Sequence, residues 1–232
     1  MKNTVLFDLD GTLVDSLEDL KDTTNYTMNK LGLPQRSLDE VRNFVGNGVD
    51  MLIKRACGNA QYDFSKASEY FREYYNVNLC NKTKPYEGIV DVINELKMKG
   101  FKLGVVTNKP QLAAEKIVNH YFNNSFDVII GADLSKRRKK PYNDPVDTAL
   151  SVIKEKKDTT IFVGDSDVDL ATAKNMDMTF IGVTWGFRNE EIFANEKYFV
   201  RNSQQLLNLC CNFLQFWYNV TKKEQNKGYF VS

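Results

Sequence analysis

The chain has 232 residues, with 31 Lys and Arg against 30 Asp and Glu, a formal net charge of +1 and one histidine, His120. This length accommodates one large domain, or a core with a smaller inserted unit. The balanced charge gives no general electrostatic case for nucleic acid or an anionic membrane, and a lone histidine excludes a His-rich zinc site. The four cysteines, Cys57, Cys80, Cys210 and Cys211, form no CxxC pair, and neighbours in sequence bridge only with strain. Four reduced thiols in a reducing cytosol are expected. The start, MKNTVLFDLDG, reaches acidic residues too soon for a signal peptide. The most apolar late segment, 206–220, is interrupted by Asn208, Asn212, Gln215 and Asn219, so no membrane helix is expected and the location is read as cytoplasmic.

In chain order, Thr4–Phe7 is the first β-branched and aromatic run. It ends in Asp8-Leu9-Asp10-Gly11-Thr12. Alternate residues of an extended chain share a side, so Asp8 and Asp10 can converge on one pocket, and Gly11 allows the backbone to turn away. From Ser16 to about Thr83 there is no convincing strand. The apolar spacing is helical instead: Leu17, Leu20, Thr24 and Thr27; Val49, Leu52, Ile53 and Ala56; Ala67, Tyr70, Phe71 and Tyr74. Ser16 is expected to cap the first of these helices, with Asp19 in a capping-box position. The pattern predicts an all-helical unit over residues 16–83, inserted into a core made of residues 1–15 and 84–232.

Beyond the insertion, strand-like runs at Phe101–Val106, Asp127–Ile130, Thr160–Val163 and Thr179–Val183 alternate with helical stripes. The stripes are Ile89, Val92, Ile93 and Leu96; Leu112, Ala113, Lys116 and Ile117; and Val146, Ala149, Leu150 and Ile153. This alternation predicts an α/β, doubly wound, Rossmann-like parallel sheet. Ligands bind such sheets at the carboxyl ends of the strands, where the paired aspartates lie. The basic run 136–140 reads as a solvated loop, and Leu206, Leu207, Phe213, Phe216 and Trp217 as a last amphipathic helix packed on the sheet.

Four segments together resemble the haloacid dehalogenase superfamily, most of whose members are phosphatases. They are Asp8–Thr12; Val105-Val106-Thr107-Asn108; Lys140 directly before Pro141; and Gly164-Asp165-Ser166-Asp167-Val168-Asp169. They occur in the family's order and span Asp8 to about Gly186. Gly46-Asn47-Gly48, Thr107-Asn108-Lys109-Pro110 and Gly182-Val183-Thr184-Trp185-Gly186 are similar to the phosphoglycolate phosphatase branch. One departure is Asn143, where the lysine motif commonly has proline.

The resemblance implies a magnesium-dependent hydrolase of a small phosphorylated metabolite, 2-phosphoglycolate first, acting through an aspartyl-phosphate. Asp8 would be the nucleophile and Asp10 the general acid and base. Lys140 would neutralise phosphoryl charge, and Thr107 with the Asn108 N–H would bind phosphoryl oxygens. Magnesium would be held by Asp8, the Asp10 carbonyl and Asp165, with Asp169 as ligand or support. The insertion would be a cap, and Asn47 its substrate-facing residue. The substrate carboxylate would meet one of Arg42, Lys54, Arg55 or Arg72. Asp10 argues against dehalogenases and phosphonatases, which lack that aspartate. A sugar-phosphate phosphatase, an inorganic pyrophosphatase, a phosphoglucomutase-type transferase and, from another class, a catalytically silent binding module stay open. No nucleic-acid or membrane partner is expected, and the chain is read as a monomer or homodimer.

Overall fold

All four residues of Thr4–Phe7 (β1) are buried. A strand with no polar face needs strands beside it and helices over both faces. The computed structural model, which describes residues 2–133, 135 and 137–214, has that arrangement. After β1 come β2 (Val14–Asp15), helices α1 (Leu17–Lys30), α2 (Leu38–Phe44), α3 (Val49–Cys57) and α4 (Phe64–Asn78), and β3 (Lys84–Pro85). The chain continues with α5 (Ile89–Met98), β4 (Lys102–Pro110), α6 (Gln111–Phe122), β5 (Val128–Ala132), α7 (Asp144–Ile153), β6 (Thr160–Gly164), α8 (Asp167–Asn175), β7 (Thr179–Val183) and β8 (Phe199–Val200). Residues 203–214 are helical.

Six strands form a parallel sheet in the order β5-β4-β1-β6-β7-β8. Phe7 is in register with Val105 of β4 and Val163 of β6. The chain builds outward from β1 in both directions, so β1 lies at the switch point where the strand ends splay into a crevice. The period of two divides the core. Val5, Phe7, Leu103, Val105, Ile161 and Val163 pack on one face with α5 and α6, and Leu6, Val106 and Phe162 pack on the other with α7 and α8. This is the doubly wound α/β core expected.

Some local expectations shift. β4 runs on to Pro110, past an irregularity after Val106, and so carries Thr107, Asn108 and Lys109. In α6 the buried residues are Ala113, Ala114, Ile117 and Val118, while Leu112 and Lys116 are exposed. The two-residue strands β2, β3 and β8 are too short to show a period. Of the late apolar segment, Leu206 and Cys210 are buried in the core, whereas Phe216 and Trp217 lie outside the described residues. All four cysteines are free, and no helix among the described residues is long and apolar enough to cross a membrane.

Helices α1–α4 lie between β2 and β3, which pair antiparallel through Val14 with Pro85 and Asp15 with Lys84. The two passages of the chain therefore run side by side. In α1 the hydroxyls of Thr23, Thr24 and Thr27 donate to the carbonyls four residues back, which lets a threonine face enter the core without orphaned hydroxyls. In α4 it is Tyr75 that is buried with Ala67 and Phe71, while Tyr74 stacks on Tyr26 at 4.7 Å. Ser16 precedes α1 but makes no side-chain cap. Asp15 accepts from the Leu17 N–H at 3.2 Å instead. Asp19 turns to the return passage and accepts from Lys82 and Thr83 N–H and the Thr83 hydroxyl at 2.7–3.1 Å. The expected capping box is thus replaced by a bond that ties the start of α1 to the chain's exit.

Candidate active site

The end of β1 sets the centre. Asp8 continues the ladder, its N–H donating to Val163 carbonyl at 2.9 Å. The Leu9 carbonyl then accepts from the N–H groups of Thr12, Leu13 and Val14, which folds the next residues into a tight turn. Leu9 is buried in the core, so Asp8 and Asp10 on either side of it face the crevice. Gly11 has φ +90°, and a Cβ there would overlap the Asp165 carboxylate. The glycine both permits the turn and lets the β6 carboxylate approach β1.

Neighbouring strand ends bring the remaining groups. Lys140 Nζ lies 2.8 Å from Asp8 Oδ1 and 2.6 Å from Asp169 Oδ1. The other Asp169 oxygen accepts from the Ser166 N–H and hydroxyl in a capping box that opens α8. Asp165 accepts from the Thr12 hydroxyl at 3.1 Å and the Phe187 N–H at 2.8 Å. Thr107 is buried, and its Oγ1 accepts from the Lys109 N–H at 3.3 Å. Asn108 donates to the Gly46 and Lys140 carbonyls. Asp10 Oδ1 receives two donors, Lys109 Nζ at 2.6 Å and the Ser16 hydroxyl at 2.5 Å. Both fall on the same oxygen.

Asp8, Asp165 and Asp169 each offer an oxygen within 4.8 Å of the others. Burial, followed by the Asp169 charge, pushes the Asp8 carboxyl up to about 6. Burial, then the Asp169 and Asp8 charges, hold Asp165 well above the usual carboxylate range. For Lys140, burial pulls downward, but Asp169 and Asp8 outweigh it and raise the ammonium above its ordinary value. Three buried carboxylates therefore share one ammonium, an excess of negative charge that a divalent cation would balance. The donors are all hard oxygens, the set that suits magnesium or calcium. The residues present fit such an ion. Asp169 fits least well as a ligand, because both of its oxygens already have donors.

A cleft opens over Asp8, Asp10, Thr107 and Asn108. Its far wall comes from the insertion through Leu20, Val45, Gly46, Gly48, Leu52 and Tyr75. Among the residues lining it, Lys109 is the only cation. The five cap-side expectations fare differently. Asn47 does not line the cleft: its side chain accepts from Arg55 at 2.8 Å and its carbonyl from Lys139. Arg55 holds the Phe44 carbonyl and Asn47, Arg42 pairs with Asp39, Arg72 donates to Ser68 carbonyl, and Lys54 lies over the Phe64 ring. None of these four cations faces the crevice. In the basic run, Lys140 is buried, Lys139 half-buried and Arg137 hydrogen-bonded to Gln111 and the Gly131 carbonyl. Of residues 137–140 only Arg138 is exposed, so these four are not the solvated loop expected. Asp167 and His120 are exposed. Lys109 and Tyr75 were not singled out. Lys109 lies two residues after Thr107 in the Thr107–Pro110 string, which is a usable signal, whereas Tyr75 follows only from the phase of α4.

The family model of haloacid dehalogenase-like hydrolases matches residues 5–183. A phosphoglycolate phosphatase of Aquifex aeolicus is 35% identical over 184 residues, covering 79% of this chain and 85% of its own length. One from Colwellia psychrerythraea is 33% identical over 199 residues, covering 82% and 88%. Among solved structures, a Clostridium acetobutylicum protein described as a predicted phosphatase superposes with a TM-score of 0.82 at 30% identity, over 91% of this chain and 99% of the other. The matched span runs from the first strand of the sheet through β7 and takes in every carboxylate of the crevice; the chain belongs to the haloacid dehalogenase-like hydrolases.

Proposed function

We propose that this enzyme is a magnesium-dependent phosphatase of a small phosphate monoester, with 2-phosphoglycolate as the first substrate to test. The observation that carries the proposal is the Asp8 carboxylate, held 2.8 Å from the Lys140 ammonium at the switch point of the sheet, with Asp10 facing the same cleft. The relatives named phosphoglycolate phosphatase supply the first choice of substrate.

A phosphate monoester dianion repels nucleophiles, so catalysis needs positioning and charge neutralisation. An Asp8 oxygen attacks phosphorus, the bond from phosphorus to the alcohol oxygen breaks, and Asp10 gives its proton to the departing alkoxide. Water then attacks the same phosphorus, Asp10 takes its proton, and the bond to Asp8 breaks to release phosphate. Lys140 offsets charge on Asp8 and the transferring group, and the Thr107 hydroxyl with the Asn108 N–H binds phosphoryl oxygens. Asp8, Asp165 and the Asp10 carbonyl would hold magnesium, with Asp169 bracing Lys140. When bound, the ion supplies positive charge that lets Asp8 approach the dianion. Helices α1–α4, over residues 16–83, act as a cap hinged at the β2–β3 pair and exclude water from the crevice. The four free thiols suit a reducing cytoplasm.

The test is phosphate release across a panel of phosphorylated metabolites with magnesium, compared by kcat/KM. A clear preference for 2-phosphoglycolate supports the proposal. Preference for a sugar phosphate or pyrophosphate keeps the chemistry and changes the substrate. No hydrolysis of any member would overturn it.

A further inference from the structure

Lys109 and Tyr75 meet across the cleft, one from the core and one from the insertion. Lys109 follows Thr107 on β4, and its side chain is 2% exposed. A buried ammonium is retained only where anions compensate it. Asp10 supplies one, at 2.6 Å. An ammonium has three donors, so two remain after the bond to Asp10.

Tyr75 stands over this ammonium, with Lys109 Nζ 5.2 Å from its ring centroid. Its hydroxyl is buried and has no hydrogen-bond partner among the described residues. Lys109 is near enough to oppose the effect of burial on the phenol, but not in a geometry that makes a good bond. A buried hydroxyl without a partner costs free energy that a ligand acceptor would recover. The rest of the cap wall is apolar, with Leu20, Val45, Val49 and Leu52. Arg42, Lys54, Arg55 and Arg72 are turned to other partners, and Lys109 is the only cation among the residues lining the cleft, so the cleft offers a second anion this one cationic corner.

We infer that Lys109 and Tyr75 form the subsite for a carboxylate carried by the substrate beside its phosphate ester, and so select a short acidic phosphate ester over a neutral one. Lys109 gives the charge-assisted bond and Tyr75 a second donor from the insertion. The subsite is complete only when the insertion lies over the core. This inference rests on the phosphatase proposal above and deepens it.

The test compares 2-phosphoglycolate with ethyl phosphate, which has the same ester linkage and no carboxylate. The wild-type enzyme is expected to favour 2-phosphoglycolate by about 100-fold or more in kcat/KM. Lys109→Met should collapse that ratio to within a few-fold of one. Tyr75→Phe, which keeps the ring in the core, should lower the ratio by about tenfold. If Lys109 only positions Asp10, Lys109→Met slows both esters equally and the ratio survives, which overturns the inference. A wild-type enzyme that hydrolyses both esters equally well also overturns it and leaves the phosphatase proposal standing. Should neither ester be turned over, the ratio of their Kd values on wild-type protein and Tyr75→Phe decides: tighter binding of 2-phosphoglycolate that weakens in the variant supports the subsite, and equal binding overturns it.

Discussion

The core and the insertion approach the same crevice with different parts of their residues. The core brings side chains to it: the carboxylates of Asp8, Asp10 and Asp165, the Thr107 hydroxyl and the Lys140 ammonium. The loop between α2 and α3 meets the core mainly through its backbone. The Gly46 carbonyl accepts from Asn108, that of Asn47 from Lys139, and that of Val45 from Arg188 at 2.7 Å. Side-chain chemistry can be recognised by residue type, whereas a carbonyl is common to every residue. The two regions therefore differ in how much substitution they tolerate and in how much a sequence discloses about them.

The largest expected effect lies in the core. Asp8→Asn exchanges the proposed nucleophile for an amide and should lower kcat by about 10⁴-fold or more while the protein keeps its fold. Asp10→Asn should cost less, about 10²–10⁴-fold, because attack survives while proton transfer is lost. Steady-state kinetics with circular dichroism as the folding control checks both. An Asp8→Asn enzyme retaining a tenth of wild-type activity would place the chemistry elsewhere.

The next effect sharpens the electrostatic side of the comparison. Asp8 is held at about 6, against roughly 3.9 for an unfolded aspartate. Between these values the folded chain binds a proton that the unfolded chain has released, so stability falls as pH rises through this window. Asp165, also raised, adds to the fall. Metal-free protein should therefore lose several degrees of Tm between pH 5 and pH 7.5. Magnesium should restore them at pH 7.5, where the carboxylates are ionised, and do little at pH 5. Asp165→Ala should flatten the pH dependence and weaken the magnesium effect. A Tm indifferent to magnesium at pH 7.5 would remove the metal from the account.

How much was legible follows the same division. The order of Asp8, Thr107, Lys140 and Asp165 could be read because each ends a strand or precedes a proline in a recognisable string. The sheet register then brings them together, since Phe7 pairs with both Val105 and Val163. The α/β core was readable from alternating apolar periods. The Asn47 side chain was misread because residue type alone does not say where it points; the structure turns it to Arg55. Ser16 looked like a cap, yet its hydroxyl goes to Asp10, a contact that depends on the turn after Leu9. Tyr75 was missed because a one-residue error in the phase of α4 exchanges it with Tyr74. Lys109 was missed because a lysine within the Thr107–Pro110 string resembles a surface lysine until the strand is seen to continue past Val106.

The smallest effect tests the backbone role of the loop. With its side chain tied to Arg55, Asn47→Ala should lower kcat/KM about threefold, and by the same factor for 2-phosphoglycolate and p-nitrophenyl phosphate. A loss confined to 2-phosphoglycolate would return Asn47 to the substrate and erase the contrast between the two regions.

Phosphoryl transfer through Asp8 would leave a covalent trace on that residue. Borohydride quenching of the enzyme during turnover of 2-phosphoglycolate with magnesium, followed by peptide mass spectrometry, tests it most directly, because reduction converts an aspartyl-phosphate to homoserine. The account predicts homoserine at position 8, dependent on both substrate and magnesium. Active turnover with an unmodified Asp8, or with the label at another carboxylate, would contradict it.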